Sequence, residues 1–274
     1  MGAATGRVRT EAVLRVRGQA LEAAWCGATT PLTLVLLHEG LGSVGLWRDF
    51  PERLAERTGL GVFAWSRLGY GQSDPAAVPR PLDYMQIEAA EFVGPVLDAA
   101  GVKRCVLIGH SDGATIAAFY AGGTQDHRVR GLVLIAPHYF VEDVAVTEIA
   151  RARSAYEQGD LRVRLARHHR DVDGAFLGWN GIWLDPGFPA VLDLHSHIAH
   201  IRVPILQIQG ADDMYGTLAQ PRIAEAAAYC PVDTLVVEHA RHAPHIEVPE
   251  LTMHAIADFI TRLAGHENLH DNAF

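Results

Sequence analysis

Residues 104–117 read Arg104-Cys-Val-Leu-Ile-Gly109-His110-Ser111-Asp112-Gly113-Ala-Thr-Ile-Ala117, and the fold turns on how that stretch is parsed. The apolar run up to Ile108 suits a strand covered on both faces, and the small apolar residues after Gly113 suit a buried helix. Only a tight turn fits between them. A serine on a turn this sharp sits in strained backbone, and the flanking glycines leave room for close packing. Its hydroxyl is lifted clear of the sheet at a helix N-terminus, which favours developing negative charge. The competing reading is a tight turn carrying an unreactive serine.

Working outward, similar apolar runs occur at 32–37, 60–65, 131–136, 204–209 and 233–238, with helical patterns at 47–57, 84–100, 113–122, 218–229 and 249–264. Alternating segments 13–17 and 20–25, joined at Gly18-Gln19, read as a β-hairpin. The expected fold class is α/β: a mostly parallel, doubly wound sheet with an antiparallel N-terminal hairpin and helices on both faces. Between Ala136 and Pro204 no strong strand appears, and helical patterns lie near 142–157 and 160–170. A structureless loop of that length is improbable inside a compact domain, so it reads as a helical cap insertion. The expected division is a core of 1–136 and 201–274, with a cap at 137–200. The last ten residues, GHENLHDNAF, read as a frayed tail.

Composition narrows the function. In 274 residues, Lys plus Arg number 23 and Asp plus Glu 32, a net charge of −9, with 49 % hydrophobic residues. Collagenous, low-complexity and disordered classes are excluded, and an acidic chain is a poor non-specific nucleic-acid binder. No apolar run reaches the roughly 18–20 residues of a membrane span. The start, from Met1 to Arg7, has no signal-peptide pattern, and Gly6 stands where a myristoylation signal wants Ser or Thr. Cys26, Cys105 and Cys230 are widely spaced and odd in number, as expected of free thiols in a reducing cytoplasm. The expectation is a cytoplasmic monomer or homodimer with no nucleic-acid or membrane partner.

A serine nucleophile needs a base, and the base an orienting acid, on loops at the carboxyl ends of later strands. Gly210-Ala-Asp212-Asp213 follows one such strand, and His239-Ala-Arg-His242-Ala-Pro-His245-Ile-Glu247-Val-Pro249 follows the next. The order Ser, Asp, His and the strand–turn–helix setting resemble the α/β-hydrolase fold superfamily over nearly the whole chain. That resemblance implies Asp213 as the acid and His242, opening an H-x-x-x-x-E-x-P stretch, as the base; Asp212 and His245 are the rivals. It implies an oxyanion hole from the amides of Asp112 and Gly40, the latter in His38-Glu39-Gly40-Leu41-Gly42-Ser43, similar to H-G-x-x-G-S. Glu39 departs from that pattern, standing where a glycine is usual, and either contacts substrate or is structural. No cofactor or metal is implied.

Other readings compete. Gly40 to Gly45 satisfies G-x-G-x-x-G, and Ser66-Arg67 ends the next strand as an NADP site might require, yet this leaves the Ser, Asp and His loops unexplained. In the superfamily Ser66 to Ser73 matches a recurrent turn beneath the site, making Arg67 structural. His168-His169 and His195-Ser-His197-Ile-Ala-His200 invite a metal, or are simply polar surface. Dehalogenase chemistry is disfavoured because it uses Asp as nucleophile. Aromatics in the cap, among them Phe176, Trp179 and Trp183, either dock the cap or line a pocket for a small or medium acyl compound. The expected function is therefore a carboxylesterase-like serine hydrolase of an ester or lactone. The alternatives are a thioesterase, a C–C bond hydrolase, or a lyase, cofactor-free oxygenase or binder on the same fold. Glu39, Asp112, Asp212 and Asp213 would make the mouth acidic, favouring neutral or cationic substrates.

Overall fold

The computed structural model describes residues 9–271, with side chains to residue 265, so what the sequence suggests for Met1 to Arg7 lies outside the described residues. Eight strands form one sheet: β1 (Arg9–Val16), β2 (Gln19–Cys26), β3 (Thr33–Leu37), β4 (Gly61–Trp65), β5 (Cys105–His110), β6 (Val129–Ile135), β7 (Ile205–Gly210) and β8 (Val232–Val237). Their order is β1-β2-β4-β3-β5-β6-β7-β8. The first two pairings are antiparallel and the rest parallel. The hairpin turn is Arg17-Gly18, one residue earlier than the sequence suggests. A two-residue turn matching strand twist needs positive φ at both central positions, and these two have φ 51° and 82°.

Every residue of β3, β4, β5 and β7 is buried, because helices cover both faces. The period-2 alternation survives beneath the continuous apolar runs. Val35, Leu37, Phe63, Trp65 and Leu107 enter one core; Leu34, Leu36, Val62, Ala64 and Val106 enter the other. In chain order the helices are α1 (Phe50–Thr58), α2 (Tyr84–Ile87), α3 (Gly94–Ala99), α4 (Asp112–Thr124), α5 (Asp143–Gln158), α6 (Leu161–Leu165), α7 (Val172–Trp183), α8 (Phe188–Val191), α9 (His195–His200), α10 (Ala219–Ala227), α11 (Pro244–Glu247) and α12 (Pro249–Asp271). Glu88–Val93 joins α2 to α3 in wider π-type turns. No helix among the described residues is long and apolar enough to cross a membrane.

Helices α5 to α9 all fall between β6 and β7, and an antiparallel bridge between Phe140 and Asp193 closes the neck of this insertion. The segment 160–170, read as one helix, is helical only to Leu165, and α7 follows. Its three glycines make α7 a poor helix by propensity; burial of Phe176, Trp179 and Trp183 and an Asp171 cap on the Gly174 amide (2.9 Å) compensate. Helix α12 continues to Asp271, so helical backbone covers most of the stretch read as a frayed tail.

Strand order reverses at β3, which pairs with β4 on one side and β5 on the other. The loops leaving their carboxyl ends diverge there and open a crevice. Helix α4 reaches that edge because Gly113 lets it press against β3: a Cβ on Gly113 would lie 2.0 Å from the Leu37 carbonyl oxygen. Gly113→Ala should therefore cost about 1–3 kcal/mol or more in urea unfolding. Gly181→Ala, on the exposed side of α7 with open space around it, should be neutral or stabilising by up to ~1 kcal/mol. Equal effects at the two positions would refute this packing.

Candidate active site

Ser111 occupies the turn between β5 and α4 at φ 52°, ψ −121°, a region that non-glycine residues rarely adopt. The conformation is over-determined. Ser111 N–H donates to the Ile135 carbonyl of β6 (2.9 Å), and its own carbonyl accepts from the amides of Ala114 (2.9 Å) and Thr115 (3.1 Å). Sheet on one side and helix on the other leave the residue no relaxed alternative.

At the same edge, the loop after β7 presents Asp213 and the loop after β8 presents His242. His242 Nδ1 donates to the Asp213 carboxylate at 2.8 and 3.0 Å, fixing the tautomer that leaves Nε2 free. Asp213 also accepts from Gln209 Nε2 (2.8 Å) and the Tyr215 amide (2.8 Å), and its side chain is buried. Burial would raise its pKa, but the His242 charge and hydrogen bond, with the Tyr215 amide, outweigh this and hold it below the usual range. The rivals are placed elsewhere. Asp212 is largely exposed and lies 4.0 Å from His239, while His245 is buried against Trp47, Phe50 and His110. Among the described residues no hydrogen bond joins Ser111 to His242, a contact that commonly tightens only with substrate.

The loop after β3 completes this edge. Gly40 lies beneath the Trp179 indole, whose Nε1 stands 2.2 Å from where a Cβ on Gly40 would be. Neither the Gly40 nor the Asp112 amide has an acceptor among the described residues. Glu39 turns toward His110, with Oε2 3.6 Å from Nδ1. Burial works against its charge, yet His110 and then His38 prevail and hold its pKa low. Arg67, buried under the loop, donates from Nη2 to the Glu39 carbonyl (2.8 Å) and from its amide to His38 Nε2 (3.0 Å). It acts as a strut here. His169 ties the inserted helices to the same loop, accepting from the Gly71 amide (2.9 Å) and pairing Nε2 with the Leu41 carbonyl (2.9 Å). His195 bonds Asp193 (2.7 Å), and His197 packs edge-on against Phe119.

The aromatics divide. Phe176 is wholly buried and stacks on Tyr156 with ring centroids 3.7 Å apart, so it packs the insertion itself. Trp179 and Trp183 face the edge described above. Several partners escape sequence reasoning: Gln209, His110, His138 and the Tyr84 hydroxyl that donates to Asp112. A signal for Gln209 existed, since Gln207 and Gln209 are polar at alternate positions of an otherwise apolar strand. Among the hollows, one of about 370 Å³ touches Asp213 and Met214 beside α5. A larger one of about 710 Å³ lies by Lys103, Tyr120 and Asp126, away from all these groups.

The Asp213 geometry has a consequence for stability. A carboxyl held below its unfolded pKa contributes stability above that unfolded value and loses it as pH falls through the folded one. Asp213→Asn should therefore cost about 1–3 kcal/mol near neutral pH, with the gap from the native protein narrowing below about pH 4. Denaturant unfolding across pH measures it, and a pH-independent gap would contradict the ionised, paired state.

Comparison with known proteins bears on the family and the fold. The family model for the alpha/beta hydrolase fold matches residues 33–179. The human (lyso)-N-acylphosphatidylethanolamine lipase is 33 % identical over 107 residues, which are 39 % of this chain and 30 % of that protein. The matched segment thus spans under a third of that relative's length. The solved structure of a bacterial membrane phospholipase A superposes with TM-score 0.75 at 21 % identity, covering 93 % of this chain and 87 % of that one. Naproxen esterase from Bacillus subtilis superposes with TM-score 0.71 at 16 % identity, covering 93 % and 92 %. At such identities the two structures speak for the fold alone. With the family model covering more than half of its length, the chain belongs to the alpha/beta hydrolase fold family.

Proposed function

We propose that the protein is a serine hydrolase that cleaves a carboxylic ester or lactone of a small or medium organic acid through an acyl-enzyme on Ser111. One observation carries the reading: a serine at φ 52° on the β5–α4 turn shares a sheet edge with an aspartate–histidine pair from the loops after the last two strands, β7 and β8. Ser111 Oγ attacks the carbonyl while His242 Nε2 takes its proton, and Asp213 stabilises the imidazolium that forms. The free amides of Gly40 and Asp112 receive the oxyanion. His242 then returns the proton to the leaving oxygen. Water, deprotonated by the same nitrogen, attacks the acyl-enzyme; the tetrahedral adduct collapses, the acid departs and Ser111 regains its proton.

In this reading residues 137–200 form a cap over the crevice, with Trp179 and Trp183 walling the acyl site and Glu39 bracing the oxyanion loop from its edge. The acyl-lipid substrate in the human relative's name is consistent with acyl transfer, and the esterase neighbour adds only the fold. No cofactor enters the scheme.

Turnover of a panel of simple esters and lactones tests it. Ser111→Ala should lower kcat by about 10⁴-fold or more, and Asp213→Asn by at least ~100-fold. Asp212→Asn should stay within roughly twofold, as an exposed substitution. An exchange of the two Asp phenotypes, or undiminished Ser111→Ala turnover, would overturn the assignment. Trp179→Ala, which uncovers Gly40, should raise KM and lower kcat together; unchanged values for both would remove Trp179 from the site.

A further inference from the structure

His110 ends β5, one residue before Ser111, and its ring reaches the loop after β8. Its Nε2 lies 2.8 Å from the main-chain carbonyl oxygen of His242. A carbonyl only accepts, so Nε2 carries the proton in this contact. The His110 and His242 rings have centroids 5.1 Å apart, and His245, from the same stretch of chain, meets the His110 ring edge-on at 4.6 Å. On the other nitrogen, Nδ1, Glu39 Oε2 from the loop after β3 stands at 3.6 Å. The residue is 4 % exposed, so water has little access to these contacts. One buried side chain thus touches all three segments that meet at this edge.

The loop carrying His242 lies between β8 and α11 and belongs to neither. Glu247 accepts from the amides of Arg241 (3.0 Å) and Ala243 (3.4 Å), on either side of His242. Asp213 holds the imidazole at Nδ1 (2.8 Å). A ring held at one nitrogen still swings when its own backbone shifts. Fixing the carbonyl of the same residue removes that freedom and sets where Nε2 points, and a small misplacement between reacting groups costs much rate. We propose that His110 is a positioning residue: from the strand that carries Ser111 it fixes the main chain of His242, and with it the aim of Nε2. The proposal rests on Ser111 and His242 as nucleophile and base, and it gives the residue before the serine a role of its own.

Two matched variants test it. In His110→Gln the amide nitrogen takes the place of Nε2; in His110→Asn it takes the place of Nδ1 and cannot reach the carbonyl. On the ester panel, kcat of His110→Asn should lie at least ~tenfold below that of His110→Gln. KM should agree within about twofold, because acylation and deacylation share one base and slow together. Equal kcat in the two variants, or the reverse order, overturns the proposal, whatever their stabilities in urea. A readout without substrate separates this from the hydrolase reading. The His242 Nδ1 proton shared with Asp213 gives a low-field NMR resonance, and it should exchange with water at least ~tenfold faster in His110→Asn than in His110→Gln. If the native protein neither hydrolyses an ester nor reacts with a fluorophosphonate, the hydrolase reading fails, and the exchange comparison alone decides for or against His110. Should His110→Asn fail to fold, nitrogen NMR of the native protein decides: a proton on His110 Nε2 supports the hold on His242, and an unprotonated Nε2 overturns it.

Discussion

The backbone of Ser111 is the constraint on which the rest of the arrangement depends. A non-glycine residue in that conformation costs on the order of 1–3 kcal/mol and persists only where its surroundings over-determine it. Here the Ile135 carbonyl holds its amide, and the first turn of α4 holds its carbonyl. Both depend on packing further out. Helix α4 can sit at the end of β3 only because Gly113 lacks a side chain, and the parallel register of β5 on β6 sets the position of Ile135. The same edge receives Asp213 and His242 because β7 and β8 continue the sheet in parallel, delivering their carboxyl ends to one line. Ser111, Asp213 and His242 are thus brought to one edge through topology, although they are far apart in sequence.

Charge at this edge is more nearly balanced than a count of acids implies. Of the four acids expected to make the mouth negative, Asp213 is paired with His242 and Glu39 lies against His110. Burial raises the pKa of Asp112, an effect that Arg67 and the Tyr84 hydroxyl oppose. Asp212 alone is largely exposed. The net charge of −9 therefore gives little reason to expect exclusion of anionic substrates at the crevice.

What was legible in the sequence follows from how local each signal is. The strands could be read because five or six apolar residues buried on both faces leave an uninterrupted run, and the elbow because glycines flank the serine in a fixed pattern. The choice of Asp213 over Asp212 came from resemblance; adjacent aspartates look alike until the loop shows that one points at His242 and the other at solvent. The bounds of helix α7 were less legible, because its glycines argue against a helix and tertiary burial overrides propensity there. The packing around Asp112 was invisible. Tyr84, Asp112, His138 and Trp183 come from four separate segments, and no spacing rule connects them. Phe176 and Trp179 share one helix, yet one stacks inside the insertion and the other covers Gly40, a division set by packing across the inserted helices.

The central claim is that Ser111 is an activated nucleophile. Intact-mass and peptide mass spectrometry after treatment with a fluorophosphonate measures this most directly. The account predicts a single adduct, on the peptide carrying Ser111, whose formation slows sharply when His242 is replaced by alanine. A native protein that stays unlabelled, or one labelled elsewhere with Ser111 free, would contradict it.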